Sequence, residues 1–210
     1  MKFSITPTLQ SVTLAGLVCA VSSCIDSAPP GSDYLADVGG PVRHKPDGGP
    51  FHAPPAIPDD VSYWDGDGVG GAPLIRINRK EQKASFYKGN LLVGVSRISS
   101  GKEDHGTPNG RYKITELDKD HRSSVYGQFK DKVTGQIIDD DADMAKEKVP
   151  PGAVFVGAPM PNFMRFNHGV GMHTGFLPGY AASHGCVRMP HRMSEKFFEN
   201  VKLGTPVIVE

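Results

Sequence analysis

The chain has little cysteine, no long hydrophobic run and no net charge. Its 210 residues hold three cysteines, Cys19, Cys24 and Cys186, with no CxxC and no HExxH pattern, so the usual zinc spacings are missing. The longest mostly apolar stretch, Val12 to Val21, is too short to span a bilayer comfortably. Lys plus Arg and Asp plus Glu balance at 23 each, and no basic helix or aromatic-basic interleaving is present, which argues against a nucleic-acid partner. No internal repeat is apparent. The length allows one domain with some extra chain rather than two full domains.

The amino terminus carries one basic residue, Lys2, before that apolar run, and reads as an export signal over residues 1–23. It ends in Val21-Ser22-Ser23-Cys24, an order that resembles a bacterial lipoprotein processing site. Cleavage there would leave Cys24 lipidated and the protein held to a membrane of the cell envelope. Ile25 after that cysteine tilts the expectation slightly toward the outer membrane. Residues 24–70 then hold 8 Pro and 8 Gly, with 8 acidic against 2 basic side chains, and read as an extended, self-repelling linker. Trp64, beside Tyr63, is expected to be the first residue to dock on the folded part. Residues 71–210 carry 20 basic against 15 acidic side chains, so a mildly basic domain sits on an acidic tether. A polyanionic wall polymer suits such a domain.

Within 71–210 the pattern is mostly β. "PLIRIN" and "ASFYKGNLLVGVSRI" predict a meander of three strands between Leu74 and Ile98, and a loop rich in Gly and Pro leads to a strand at Arg111–Glu116. Leu117 to Pro151 is polar and charged, including Asp139 to Asp143, and reads as a solvated loop or short helix that could cover a site. "AVFVGAP" and "FMRFNHGVGM" predict two further strands. "MSEKFFENV" has helical spacing, with Ser194 as its cap and Gly204 as a stop, and "PVIVE" closes as a strand. The expected architecture is a small β-sandwich or partly closed barrel with one helix in the C-terminal region and a loop carrying a His-Gly-Cys motif.

That motif lies in "MHTGFLPGYAASHGCVRMP", residues 172–190. With Cys19 removed with the signal and Cys24 lipidated, Cys186 is left without a disulfide partner. A lone thiol among His, Gly and Arg suggests a nucleophile, which needs a base within reach. His173 and His184 both qualify. Local sequence does not decide between them, although Gly175, Pro178 and Gly179 would let the chain fold His173 back toward Cys186. Small residues at Ala182 and Gly185 would let main-chain N–H groups approach an oxyanion.

The stretch resembles the signature of the L,D-transpeptidase family (the YkuD-type catalytic domain): a His, a spacer, then Ser/Thr-His-Gly-Cys, an apolar residue and Asn or Arg. Here these are His173, then Ser183, His184, Gly185, Cys186, Val187 and Arg188. "SSGKEDHGTPNGRYKI" and "IRINRKEQKASFYKGNLLV" are similar to upstream parts of the family. The spacer to His184 matches a compact subset. The resemblance implies a cysteine-dependent acyltransferase acting on peptidoglycan stem peptides. Cys186 would form a thioester with a donor tetrapeptide and release D-alanine, and an amine would then take the acyl group. That amine could belong to another stem, giving a 3–3 cross-link, or to a wall-anchored lipoprotein.

In this scheme His173 is the base, oriented by the Thr174 carbonyl, and His184, Gly185 and Cys186 supply the oxyanion environment. Met172 and Ser183 join Arg188 in substrate binding, with loop-holding as the alternative for Arg188. No cofactor and no metal is implied. Two other readings use the same residues: an L,D-carboxypeptidase or amidase, in which water or another bond replaces the amine, and a non-catalytic wall-binding module.

Overall fold

In "PLIRIN" and "KASFYK" every second side chain is apolar, and the chain folds so that those side chains share a face. The computed structural model describes residues 58–210. The expected export signal, Cys24 and most of the proline-rich segment lie outside the described residues. Strands β2 (Pro73–Asn78), β3 (Lys83–Lys88) and β4 (Leu91–Arg97) form the predicted meander. Ile75, Ile77, Ala84 and Phe86 point inward, while Arg76 stays outside. β1 (Tyr63–Trp64) pairs with β4 at one edge. β13 (Pro206–Val209) lies between β2, which it parallels, and β5 (Gly110–Lys113), completing a six-stranded sheet.

The second sheet has the order β12 (Val187–Met189), β11 (Val170–Thr174), β10 (Phe163–Asn167) and β6 (Glu116–Asp118). Met164, Met172, Val187 and Met189 from this sheet meet the inner face of the first. Helix α1 (His191–Asn200) adds Met193 and Phe197 to that core. Trp64, Phe86 and Phe197 form an aromatic cluster with ring centroids 5.0–6.1 Å apart. Trp64 is thus a core residue, and the end of the segment read as linker belongs to the folded unit. The architecture is mostly β, the sheets are not closed, and α1 is the one α-helix among the described residues.

Four local expectations are corrected. The strand expected at Arg111–Glu116 breaks at Ile114, where the chain passes from one sheet to the other. Ile114 donates its N–H to Thr205 O and Thr115 donates to Arg165 O, both at 2.8 Å. "FMRFNHGVGM" is a hairpin rather than one strand, turning at His168, whose φ is +43°.

Ser194 does not cap the helix. The helix starts after Pro190, which cannot donate and suits a helix start, and the Ser194 hydroxyl is buried against Thr174, 2.6 Å away. The largest departure is the polar segment 117–151, which forms β7 (Arg122–Asp131) and β8 (Ile137–Asp143). With β9 (Ala153–Pro159) these make a third sheet of order β8-β7-β9. The acidic run occupies its edge strand, where charge is tolerated because the outer flank faces water.

Candidate active site

Residue pairing across β11 and β12 decides what the motif can do. The two strands run parallel, with Met172 opposite Val187, His173 opposite Arg188 and Thr174 opposite Met189. Because strand side chains alternate, Met172, Val187 and Met189 enter the core, whereas His173, Cys186 and Arg188 face the other way. These three line a cleft whose other walls come from Ser123, Tyr126, Pro159, Met160, Gly175 and His184. The cysteine and His173 are therefore diagonal neighbours on one face, an arrangement the intervening sequence could not specify.

His173 is 5% exposed, and its Nδ1 lies 2.7 Å from the Thr174 carbonyl. That carbonyl can only accept, so Nδ1 carries the proton and Nε2 presents a lone pair. Burial pulls the His173 pKa down to about 4; the Thr174 bond works against this, and Arg188 and His121 add to it. Cys186 is half-buried and free, with Sγ 3.7 Å from the Gly169 carbonyl. Desolvation pushes its thiol pKa up, while the Gly171 N–H, Arg165 and Arg188 pull the other way. Desolvation thus works against charge on both groups and favours the neutral thiol and neutral imidazole over the separated ions.

Arg188 is 5% exposed, yet burial lowers its pKa only to about 10, so it is cationic at neutral pH. Its aliphatic stem packs on Gly175, where an added Cβ would lie 2.8 Å from Arg188 Cγ. Its main chain exchanges two hydrogen bonds of 2.9 Å with Ser99. His184 stacks on Tyr126 at 4.7 Å and lies 5.2 Å from His105. Desolvation, then Lys102 and His105, bring the His184 pKa to about 4.

The motif loop is held from within and from the 101–107 loop. Ser183 Oγ donates to the Cys186 carbonyl and accepts the Gly185 N–H at 3.1 Å. Thr107, fully buried, donates to the Gly185 carbonyl at 2.8 Å and accepts the Gly101 N–H at 2.9 Å. Gly185 has φ +121°, a conformation that a side chain would strain.

Three sequence expectations are corrected by this arrangement. Met172 is wholly buried and does not reach a substrate. Ser183, 2% exposed, braces the turn instead of facing the cleft. The N–H groups of Gly185 and Ala182 are already donated, to Ser183 Oγ and to the Ser100 carbonyl, so neither is spare for an oxyanion.

Sequence reasoning missed Tyr126, Ser123 and Met160, which line the cleft from the appended sheet and the loop after it. The sole sequence signal for the first two was the alternation in "SSVYGQF", diluted by the charge around it. Among the described residues, one group of side chains has metal-ligand proximity: Glu116, Asp118 and His121, whose ligand atoms lie within 4.8 Å of one another. His121 Nδ1 is 3.0 Å from Asp118 Oδ2, and Glu116 already holds Arg165 at 2.7 Å, so a cation there would compete with a guanidinium.

A mostly β domain that sets a half-buried cysteine beside a buried, carbonyl-oriented histidine at the floor of a cleft has the layout of a cysteine-dependent acyl-transfer domain. Residues 72–209 match the family model of the L,D-transpeptidase catalytic domain, YkuD, and the chain belongs to that family. No curated protein matches it.

Similar solved structures include a mutant L,D-transpeptidase from Enterococcus faecium, at 22% identity over 67% of this chain and 50% of that one, with TM-score 0.49. An L,D-transpeptidase from Mycobacterium smegmatis shares 16% identity over 67% of this chain and 59% of that one, TM-score 0.49. L,D-transpeptidase 1 of Mycobacterium tuberculosis shares 16% over 67% of this chain and 62% of that one, TM-score 0.48. The chain spans between 50% and 62% of the length of these three.

Proposed function

We propose that the protein is a cysteine-dependent peptidoglycan L,D-transpeptidase. The observation that carries this reading is the placement of His173 and Cys186 on one face of the β11–β12 pair, at the floor of the cleft, in a chain of that family.

His173 Nε2 takes the thiol proton as Sγ attacks the carbonyl between the third stem residue and D-alanine. The tetrahedral oxyanion is met by groups around the motif, the His184 side chain among them. Collapse breaks the C–N bond, and the D-alanine nitrogen leaves with the proton from Nε2, so a thioester remains and His173 is neutral again. An acceptor amine then gives its proton to Nε2 while attacking the thioester, and the second collapse returns that proton to sulfur. Because burial disfavours both the thiolate and the imidazolium, proton transfer accompanies attack. Arg188, cationic in the cleft wall, suits a stem carboxylate.

Segment 117–151 acts as cover: Tyr126 stands over His184 and limits water at the thioester. The acceptor is another stem or a wall-anchored lipoprotein. Lipidated Cys24 holds the domain to an envelope membrane, the outer one favoured, by an acidic tether. A Cys24→Ala protein that still fractionates with membranes would sink the anchoring.

The test of the activity is mass spectrometry of products from disaccharide-tetrapeptide, with a Cys186→Ala control. Dimers that have lost D-alanine, absent in the control, are expected. Monomeric tripeptide alone would convert the reading to a carboxypeptidase, and no change would leave a lipoprotein acceptor or a wall-binding role. Failure of a carbapenem to add covalently to Cys186 would also count against it.

A further inference from the structure

Arg165, on β10, does not line the cleft, yet its side chain holds the turn that runs beside the sulfur. Its Nε donates to Glu116 Oε2 at 2.7 Å and its Nη1 donates to the His168 carbonyl at 2.8 Å. The guanidinium also lies over the Phe163 ring, 4.9 Å from its centroid, and His121 stacks on that ring at 4.1 Å. Phe163 in turn abuts Gly171, where an added Cβ would fall 2.6 Å from the ring. His168 and Gly169 form the β10–β11 turn, with His168 in the left-handed region and a register shift between Arg165 and Asn167. This turn delivers the Gly169 carbonyl to 3.7 Å from Cys186 Sγ and brings the Gly171 N–H against the sulfur.

We propose that Arg165 is a positioning residue for the nucleophile: anchored by Glu116, it pins the His168–Gly169 turn so that the Gly169 carbonyl and the Gly171 N–H frame the Cys186 sulfur. The inference rests on the reading of Cys186 as nucleophile. A two-point hold of this kind needs a planar fork, one arm on the carboxylate and one on the carbonyl, which a lysine cannot reproduce. The β10–β11 ladder holds the base of this turn through Asn167 and Val170, while the Arg165 bond holds the His168 carbonyl at its tip, where His168 sits in a conformation that non-glycine residues seldom adopt.

Other charged or titratable groups that face the sulfur are Arg188 on β12, Tyr126 on β7, and His173 and His184 in the cleft wall. The guanidinium charge of Arg165 favours the thiolate in addition to its mechanical role.

The experiment is alkylation of the full chain by iodoacetamide across pH, followed at the Cys186 peptide by mass spectrometry, with a thermal melt of each protein. Arg165→Met is expected to move the rising limb of the rate to higher pH, with alkylation about tenfold slower at a fixed pH on that limb. Arg165→Lys, which keeps the charge and loses the fork, should fall between the two. A purely structural role would lower the melt and leave the curve in place. If Arg165→Met does not fold, the lysine variant decides: a displaced limb supports the inference, and superposition on wild type overturns it. A folded Arg165→Met that superimposes on wild type overturns this inference alone. A wild-type Cys186 inert at every pH overturns the nucleophile reading and this inference with it.

Discussion

The two-sheet body and the appended β7–β8–β9 sheet meet at the same cleft but are built differently. The body buries seventeen residues of one apolar cluster, from Trp64 to Val209. The appended sheet buries three, Phe129, Ala142 and Ala153, with Met144 and Phe155 packed partly against them. The floor of the site, with His173, Cys186 and Arg188, is part of the large core's outer skin. The cover, with Tyr126, belongs to the small one. Cooperative stability follows buried apolar contact, so the floor should open only with the whole domain and the cover far more readily. On the proposed function, a site that holds a base and nucleophile in register while admitting bulky wall peptides gains from that division.

The sharpest way to break this contrast is to truncate one buried ring in each region. Phe86→Ala and Phe129→Ala each remove about 3–5 kcal/mol of packing by the usual cost of such cavities. Phe86→Ala is expected to lower the main unfolding transition by that amount. Phe129→Ala should leave it nearly unchanged and raise amide exchange in β7, β8 and β9 alone. Equal losses from the main transition would mean that the two regions form one cooperative unit.

A second effect separates floor from cover by pH. His173 is buried neutral with a pKa near 4 against 6.5 for the free side chain, so the unfolded chain binds its proton first as pH falls. Stability is untouched above about 6.5 and is lost between 6.5 and 4, on the order of 3 kcal/mol for a shift of that size. Denaturant melts at pH 7 and pH 4.5 should show the loss, and His173→Gln should reduce it. A His173→Gln protein with the same pH dependence would assign the effect elsewhere. His184 shifts in the same direction, but its half-exposed ring contributes less.

The smallest expected effect concerns the cover's chemistry. Tyr126→Ala removes the ring stacked on His184, and the ratio of hydrolysed to transferred product should rise several-fold with thermal stability little changed. An unaltered ratio would deny the cover a role in excluding water.

Much of the body was legible in the sequence because its strands alternate cleanly, as in Leu74 to Ile98, and because turn residues separate them. The appended sheet was not. β8 gives the small core one apolar side chain, Ala142, among aspartates, and such a strand leaves almost no period-2 signal. The hairpin at His168 was hidden for a related reason, since "FMRFNHGVGM" is apolar on both sides of its turn.

The site divides along the same line. By itself the sequence determined that a cysteine stands in a His-Gly-Cys motif with histidines on either side of a turn-rich spacer, and that the domain around it is mostly β. Only the tertiary structure decided which face each residue takes. A parallel pairing of β11 with β12 puts His173 and Cys186 together and sends Met172 into the core, because side chains alternate across a strand and register fixes their partners. The positions of Tyr126 and Arg165 depend on contacts tens of residues apart in sequence, which local pattern does not encode.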